Sequence, residues 1–195
     1  MLSNTRIVLS IKPSKVAFKH IYFVRVVNFP CFPICVINRH ISTTLKVRLC
    51  ESLVMSTVLY GAELWPLTVA QKKKLEATHH KFQRRIMGIS WKDKVSNERV
   101  RTQTQLEKID LIIKERRLRW LGHVLRMDDN GLPTQVVHWD IIGSKRKPGR
   151  PRKNWIDTIQ QNLKSIGMTW EVAQQLAVNR EGWRRRVAEC VFDTR

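Results

Sequence analysis

The sequence has 195 residues, in which 36 lysines and arginines outnumber 16 aspartates and glutamates and give a formal net charge of +20 at neutral pH. An ordinary soluble domain carries nearly equal numbers of positive and negative side chains, and this excess excludes such a surface. Nucleic acid is therefore the expected partner, and an anionic membrane is the competing polyanion. A hydrophobic content of 43% with seven tryptophans still predicts a buried core, for one domain or two small ones, and argues against disorder throughout.

Residues 1–37 differ in composition from the remainder of the chain. Within them, residues 21–37 are apolar but interrupted by Arg25, Asn28 and two prolines, and they are fewer than the roughly 20 residues that a membrane-spanning helix needs. No small-residue cleavage site follows, so neither a signal peptide nor a membrane role is expected. We predict a poorly ordered, strand-prone leader.

The four cysteines, Cys31, Cys35, Cys50 and Cys190, are scattered along the chain. Only the first two lie close together in the sequence, and the nearest histidine, His40, would supply at most a third ligand for a tetrahedral zinc site. The pattern therefore predicts neither a disulfide framework nor a zinc site. No other metal ion and no cofactor is expected from the sequence. Scattered cysteines also favour a reducing intracellular compartment.

From Ser42 onward the apolar residues recur at helical spacing. A first helix is predicted behind Ser42, a candidate N-cap, and ends at Tyr60-Gly61. A second runs from after Thr68 to Gly88, and a third from about 110 to 127. The apolar faces of the second and third helices are Leu75, His79, Phe82 and Ile86, and Ile113, Leu118, Leu121, Val124 and Leu125.

Basic residues cover the remaining surface of both of these helices. A charged helix face usually means only contact with solvent, but its recurrence on successive helices favours one polyanion-binding surface. The helical residues that we assign to phosphate binding are Lys72, Lys73, Lys74, Arg84, Arg85, Arg116, Arg117 and Arg119.

Two adjacent aspartates, Asp128 and Asp129, allow a metal-site interpretation. Asn130-Gly131 and the following Pro133 favour a turn instead, because aspartate at the start of a turn bonds its own backbone. A phosphoryl-transfer site would also need further converging carboxylates, and few acidic residues lie nearby. No catalytic constellation is predicted here or elsewhere in the chain.

The densest basic run is Lys145–Lys153. Pro148 and Pro151 exclude a helix through it, so an extended and exposed backbone is expected. Its Gly-Arg-Pro core with basic flanks resembles the AT-hook, a peptide that enters the A·T-rich minor groove. The alternatives are a solvated linker and a nuclear-localisation patch. The residues assigned to nucleic-acid binding are Lys145, Arg146, Lys147, Gly149, Arg150, Pro151, Arg152 and Lys153.

After this run, Asn154 can cap a helix that ends near Gly167, and Thr169 can cap another. A short basic run from Trp183 to Phe192 follows. Trp155, Trp170 and Trp183 could be core residues or stacking platforms for bases, and their helical spacing from aliphatic residues favours the core.

From about residue 38 the chain resembles the C-terminal end of a non-LTR retrotransposon polyprotein of the endonuclease and reverse transcriptase type. Three blocks carry the resemblance: ISTTLKVRL at 41–49 running into LYGAELW at 59–65, RLRWLGHVLRM at 117–127, and PGRPRKNW at 148–155 with GWR at 182–184. They occur in the family's order and at plausible spacing.

The resemblance implies a position downstream of the polymerase active site, in the thumb-like helices and the tail. The family's catalytic aspartates and its endonuclease have no counterpart here, and Asp128 and Asp129 follow Arg126-Met127 rather than the expected aromatic residue. The chain as it stands is therefore not expected to be an enzyme. A thumb holds duplex by phosphate contacts from basic helix faces and needs no titrating pair.

These features predict a mainly α protein: a thumb-like helical bundle at 38–127, a turn and extended basic linker at 128–153, and a helical cluster at 154–195. The expected function is nucleic-acid binding by a reverse transcriptase fragment, with DNA or an RNA–DNA hybrid as partner, no small-molecule substrate, and a nuclear location. The alternatives are an accessory thumb of an active RNA-directed DNA polymerase and a Trp-rich helical protein-interaction module.

Overall fold

The computed structural model describes residues 38, 40–128, 131–137 and 154–192. Every regular element in those ranges is helical, which confirms the mainly α prediction. The chain divides into two compact units, Met1–Tyr60 and Gly61–Arg195. The leader at 1–37 and the basic run at 145–153 lie outside the described residues.

The first unit holds the predicted first helix. It consists of α1 (Thr43–Leu49), a π-helical segment (Cys50–Met55) and α2 (Ser56–Val58). The Ser42 hydroxyl accepts the backbone N–H of Leu45 at 3.3 Å, so Ser42 is the N-cap that the sequence predicted.

The second unit begins with a 3₁₀ turn at Ala62–Leu64, the Glu63 turn, and contains another at Trp91–Asp93, the Trp91 turn. Its helices in the described ranges are α3 (Val69–Met87), α4 (Asn97–Thr104), α5 (Ile109–Val124), α6 (Leu132–Val137), α7 (Trp155–Lys164), α8 (Trp170–Val178) and α9 (Arg180–Phe192).

Helix α3 matches its prediction at both ends. Gln71 donates its backbone N–H to the Thr68 hydroxyl at 3.3 Å and accepts the Thr68 N–H on its side chain at 2.8 Å, which forms a capping box. Gly88 ends the helix with a φ of 69°, a left-handed conformation that glycine adopts readily. The buried face is the predicted one, with Gln83 in addition: Leu75, His79, Phe82, Gln83 and Ile86.

Helix α5 lies at the centre of the second unit and ends at Val124, three residues before the predicted end. It contributes to one core cluster with α7, α8 and α9. The members of this cluster are Leu118, Leu121, Ile159, Leu163, Ile166, Met168, Ala173, Ala177, Trp183 and Val187. Burial of these apolar side chains is the main term that stabilises the unit.

The tryptophans of the C-terminal helices are core residues, as their spacing predicted. Trp183 is only 1% exposed, and Trp155 and Trp170 are partly buried against the core cluster. Helix α9 begins at Arg180, three residues before the predicted run, and follows α8 almost directly.

Helices α4 and α6 were not predicted. Helix α4 has Ser96 as its N-cap, and its buried residues are Val100 and Thr104, which is too few for a clear apolar period. Helix α6 lies in the stretch expected to be turn and linker. The predicted turn precedes it, since Gly131 donates its N–H to the Asp128 carbonyl at 2.8 Å.

Gly122 of α5 receives the indole of Trp183 from α9. A β-carbon on Gly122 would lie 2.2 Å from Trp183 Nε1, which is well inside van der Waals contact. The same indole N–H donates to the Leu118 carbonyl at 3.0 Å. The absence of a side chain at Gly122 therefore sets how closely α5 and α9 approach.

His79 is a buried histidine, 2% exposed. Burial, with smaller contributions from the charges of His80 and Arg101, lowers the pKa of His79 to about 4. The imidazole is therefore neutral in the folded chain at neutral pH, and it fills the apolar face of α3.

We expect Gly122→Ala to destabilise the second unit by about 1 to 3 kcal/mol, because the added methyl group displaces the Trp183 ring from its packed position. Urea unfolding followed by circular dichroism measures this loss. His123→Ala, at the exposed neighbouring position, should stay within about 0.5 kcal/mol of the wild type. Equal stability of the two variants would contradict the close contact.

Stability should fall between about pH 6.5 and pH 4, because the unfolded chain binds a proton at His79 while the folded chain does not. The lost free energy of unfolding from this group reaches about 2 to 3 kcal/mol at pH 4.5. His79→Leu should remove that part of the pH dependence in urea titrations, whereas His123→Leu should keep it. An unchanged pH slope in His79→Leu would refute the assignment.

Candidate nucleic-acid interface

Two side chains from distant helices bind the backbone of the Glu63 turn region. Arg117 of α5 donates from Nη2 to the carbonyl of Trp65, and Trp155 of α7 donates from Nε1 to the carbonyl of Glu63 at 2.7 Å. These residues belong to the three sequence blocks 59–65, 117–127 and 148–155. The structure therefore brings segments of all three blocks together in the second unit.

Arg117 does not fit its predicted role in phosphate binding. It is 1% exposed and bound to the Trp65 carbonyl. Burial lowers its pKa, and the charge of Asp110 opposes that effect. A guanidinium enclosed in this way cannot reach a phosphate on the surface, so Arg117 is a structural residue.

Helix α3 carries a row of exposed basic residues, Lys74, Lys81 and Arg85, which we call the α3 basic row. Their spacing of seven and then four residues places them on one side of the helix. Lys73 is exposed as well. Lys81 was not among the residues assigned from the sequence, although its spacing from Lys74 indicates the shared side.

Two of the assigned residues on α3 are partly engaged within the protein. Lys72 forms an ion pair with Asp110 at the start of α5, with Nζ 2.9 Å from Oδ1. Arg84 donates from Nη2 to the Val95 carbonyl at 2.5 Å and to Asn97 Oδ1 at 2.9 Å. These contacts connect α3 to α5 and to the start of α4, and they reduce the donors left for phosphate.

The remaining assigned residues on α5 differ in exposure. Arg116 is half-buried. The side chain of Arg119 is 62% exposed and pairs with Glu115 one turn earlier. An exposed pair of this kind contributes at most about 1 kcal/mol, so a phosphate can displace the carboxylate at little cost.

Arg126, just beyond the end of α5, lies near Arg180 and Arg184 of α9, and we call these three the α5–α9 arginine cluster. Arg126 donates from Nη1 to the Ala177 carbonyl at 2.9 Å, which fixes its head group. Partial burial and then the charges of Arg180 and Arg184 lower its pKa. The sequence indicated basic residues on both helices. The three arginines come close together only because Trp183 packs against Gly122 and brings α9 next to α5.

The basic run Lys145–Lys153 lies outside the described residues, so its assignments stay predictions. Within the described ranges, no group of three or more histidine, cysteine or acidic residues is placed to hold a metal ion. In the same ranges, no helix has the length and apolarity required to cross a bilayer.

Comparison with known proteins finds one informative relative. The chain is 27% identical over 146 residues to an uncharacterised transposon-derived protein of Caenorhabditis elegans; the alignment covers 71% of this chain and 52% of the relative. The chain thus spans about half the length of the protein that it matches. No family model and no solved structure matches the chain. The similarity supports a transposon-related origin.

Arg117 and Arg85 should give opposite results on substitution. Arg117→Leu removes the buried, charged hydrogen bond to the Trp65 carbonyl, which then keeps only the Leu67 N–H at 3.0 Å, and it should lower the free energy of unfolding by about 1 to 3 kcal/mol. Arg85→Ala, on the exposed row, should leave stability within about 0.5 kcal/mol. Urea unfolding of both variants tests this, and an undiminished stability of Arg117→Leu would contradict the structural role.

Proposed function

We propose that this chain is the nucleic-acid-binding C-terminal part of a non-LTR retrotransposon reverse transcriptase. The similarity to a transposon-derived protein supports the transposon link. The three sequence blocks support the narrower family assignment, and they include the residues that make the contacts at the Glu63 turn and at Gly122.

The observation that carries the proposal is the α3 basic row. Its three side chains are exposed on a helix that is capped at both ends and anchored by its apolar face. At a rise of 1.5 Å per residue, the row from Lys74 to Arg85 extends over roughly 16 Å of the helix axis. That length corresponds to several successive phosphates of one strand, which are about 3.4 Å apart along the axis of a duplex.

Binding in this proposal is electrostatic and needs no catalytic group. Each lysine or arginine that contacts a phosphate releases condensed counterions, so affinity falls with salt. Arg119 and the α5–α9 arginine cluster supply further contacts, and the fixed head of Arg126 loses little side-chain entropy when an anion binds. DNA and an RNA–DNA hybrid are the proposed partners, in the nucleus.

The basic run at 145–153 is proposed as a second nucleic-acid-binding segment. Arg150, between Gly149 and Pro151, is suited to a narrow minor groove, and the neighbouring lysines and arginines are suited to phosphates. Such a peptide adds affinity by tethering, because it raises the local concentration of the duplex near the helical surface.

A second candidate is that the same surface acts as the thumb of an active RNA-directed DNA polymerase. The exposed basic row on an apolar-anchored helix suits it, since a thumb holds the template–primer duplex by phosphate contacts from helices. The module of Trp-rich helices has less support, because Trp183 is 1% exposed and Trp155 and Trp170 are partly buried against the core cluster.

The combined variant Lys74→Ala, Lys81→Ala and Arg85→Ala should weaken duplex binding and flatten its salt dependence. Removing three phosphate contacts should reduce the slope of log affinity against log salt by about 2 to 3. Fluorescence anisotropy with a labelled duplex at several salt concentrations measures both quantities.

The matched control removes three other exposed charges, with Arg99→Ala, Lys108→Ala and Lys164→Ala. It lowers the net charge by the same amount but spares the α3 basic row, so its slope should stay closer to that of the wild type. Equal slopes for the two triple variants would show that only the total charge matters and would contradict the assigned surface.

A further inference from the structure

Trp91 is the most exposed of the large apolar side chains found in the described ranges, at 82%. It lies in the Trp91 turn between α3 and α4, whereas Trp65 and Trp183 are buried in the second unit. An indole of this size left in water forgoes the free energy that burial would give, of the order of 2 to 3 kcal/mol. This exposure suggests that the ring contacts something outside the chain.

The turn keeps its shape through backbone and polar contacts. The Ser90 N–H donates to Asp93 Oδ2 at 2.6 Å, and the Asp93 N–H donates back to the Ser90 carbonyl at 3.2 Å. Just beyond it, Arg84 holds the Val95 carbonyl from α3. The contacts that close the turn run through Ser90 and Asp93 rather than through the indole, so the turn presents the ring on a fixed support.

The charge around the ring indicates which partner it suits. Lys92 and Lys94, on either side of Asp93, are exposed, and the Asp93 carboxylate is already engaged by the Ser90 N–H. An aromatic surface beside lysines is complementary to a flat group that is linked to phosphates. Bases within a duplex are stacked on one another and cannot offer a face to this ring, whereas an unpaired base can.

We propose that Trp91 is a stacking platform for an unpaired base of single-stranded DNA or RNA, with Lys92 and Lys94 contacting the adjacent phosphates. The proposal rests on the nucleic-acid-binding function proposed above and extends it. The chain then holds duplex on basic helices and a single-stranded extension at the Trp91 turn.

The test compares Trp91→Ala, Trp91→Phe and the control Val178→Ala, an exposed apolar residue on α8. Anisotropy with labelled oligothymidylate and with a blunt duplex is measured on the full chain at fixed salt. Trp91→Ala should weaken single-strand binding about tenfold while changing duplex binding by less than about twofold. Trp91→Phe should keep most of the affinity, and Val178→Ala should equal the wild type on both probes.

Tryptophan fluorescence gives a second readout. A base stacked on Trp91 should quench its emission, so saturating oligothymidylate should quench the wild type more than Trp91→Phe. Thermal unfolding and sedimentation velocity accompany the binding data, and the exposed substitutions should leave both unchanged.

Four results would overturn the proposal. If Trp91→Ala bound the single strand as tightly as the wild type, Trp91 would not be a stacking platform, while the proposed phosphate-binding function would still stand. An equal loss of affinity for single strand and duplex would indicate that Trp91 contacts nucleic acid without regard to unpaired bases. A changed sedimentation coefficient with unchanged single-strand affinity would indicate that Trp91 contacts protein instead. Absence of salt-dependent binding by the wild type to either probe would refute this proposal together with the function on which it rests.

Discussion

The contact between Trp183 and Gly122 determines much of the arrangement of the second unit. A β-carbon at Gly122 would meet the indole at 2.2 Å, so the approach of α9 to α5 depends on glycine. That approach buries Trp183 and Val187 with Leu118 and Leu121 in one core. It also brings Arg180 and Arg184 towards Arg126, and one packing constraint thus positions both a core and a cluster of positive charges.

Some basic side chains of this chain stabilise the fold, and others are exposed and free to bind a partner. Arg117 is enclosed and bound to the Trp65 carbonyl, and Arg84 and Lys72 link α3 to its neighbours. A buried hydrogen bond from a charged group contributes about 1.5 to 3 kcal/mol, whereas a surface ion pair contributes at most about 1. The buried arginine therefore matters most for stability, and the exposed residues of the α3 basic row are the ones suited to a partner.

The sequence was sufficient to predict the elements with strong local signals. Ser42, Asn154 and Thr169 precede helices as predicted caps, and Gly88 ends α3 where the apolar period stops. Helix α4 was missed because it buries mainly Val100 and Thr104, and so short a polar helix has no clear period. Helix α6 was missed because Asn130-Gly131 and Pro133 favour a turn, although proline is also tolerated in the first turn of a helix.

The candidate site was less predictable than the fold. Arg117 was grouped with Arg116 and Arg119 by charge, yet it is spaced four and seven residues from Leu121 and Val124, which marks the buried face of α5. The α5–α9 arginine cluster depends on tertiary packing that no local pattern encodes. Trp91 lacks an apolar period around it, which is the one local sign that its ring stays outside the core.

The most direct test of the central claim is a binding titration of the purified chain on A·T-rich duplex, G·C-rich duplex and RNA–DNA hybrid at two salt concentrations. The proposed phosphate contacts predict tight binding at low salt that weakens at least about tenfold when salt is raised fourfold. Preference for the A·T-rich duplex would support the groove-binding run at 145–153, and preference for the hybrid would support the thumb-like surface. Binding that does not respond to salt, or no binding to any of the three, would contradict the account.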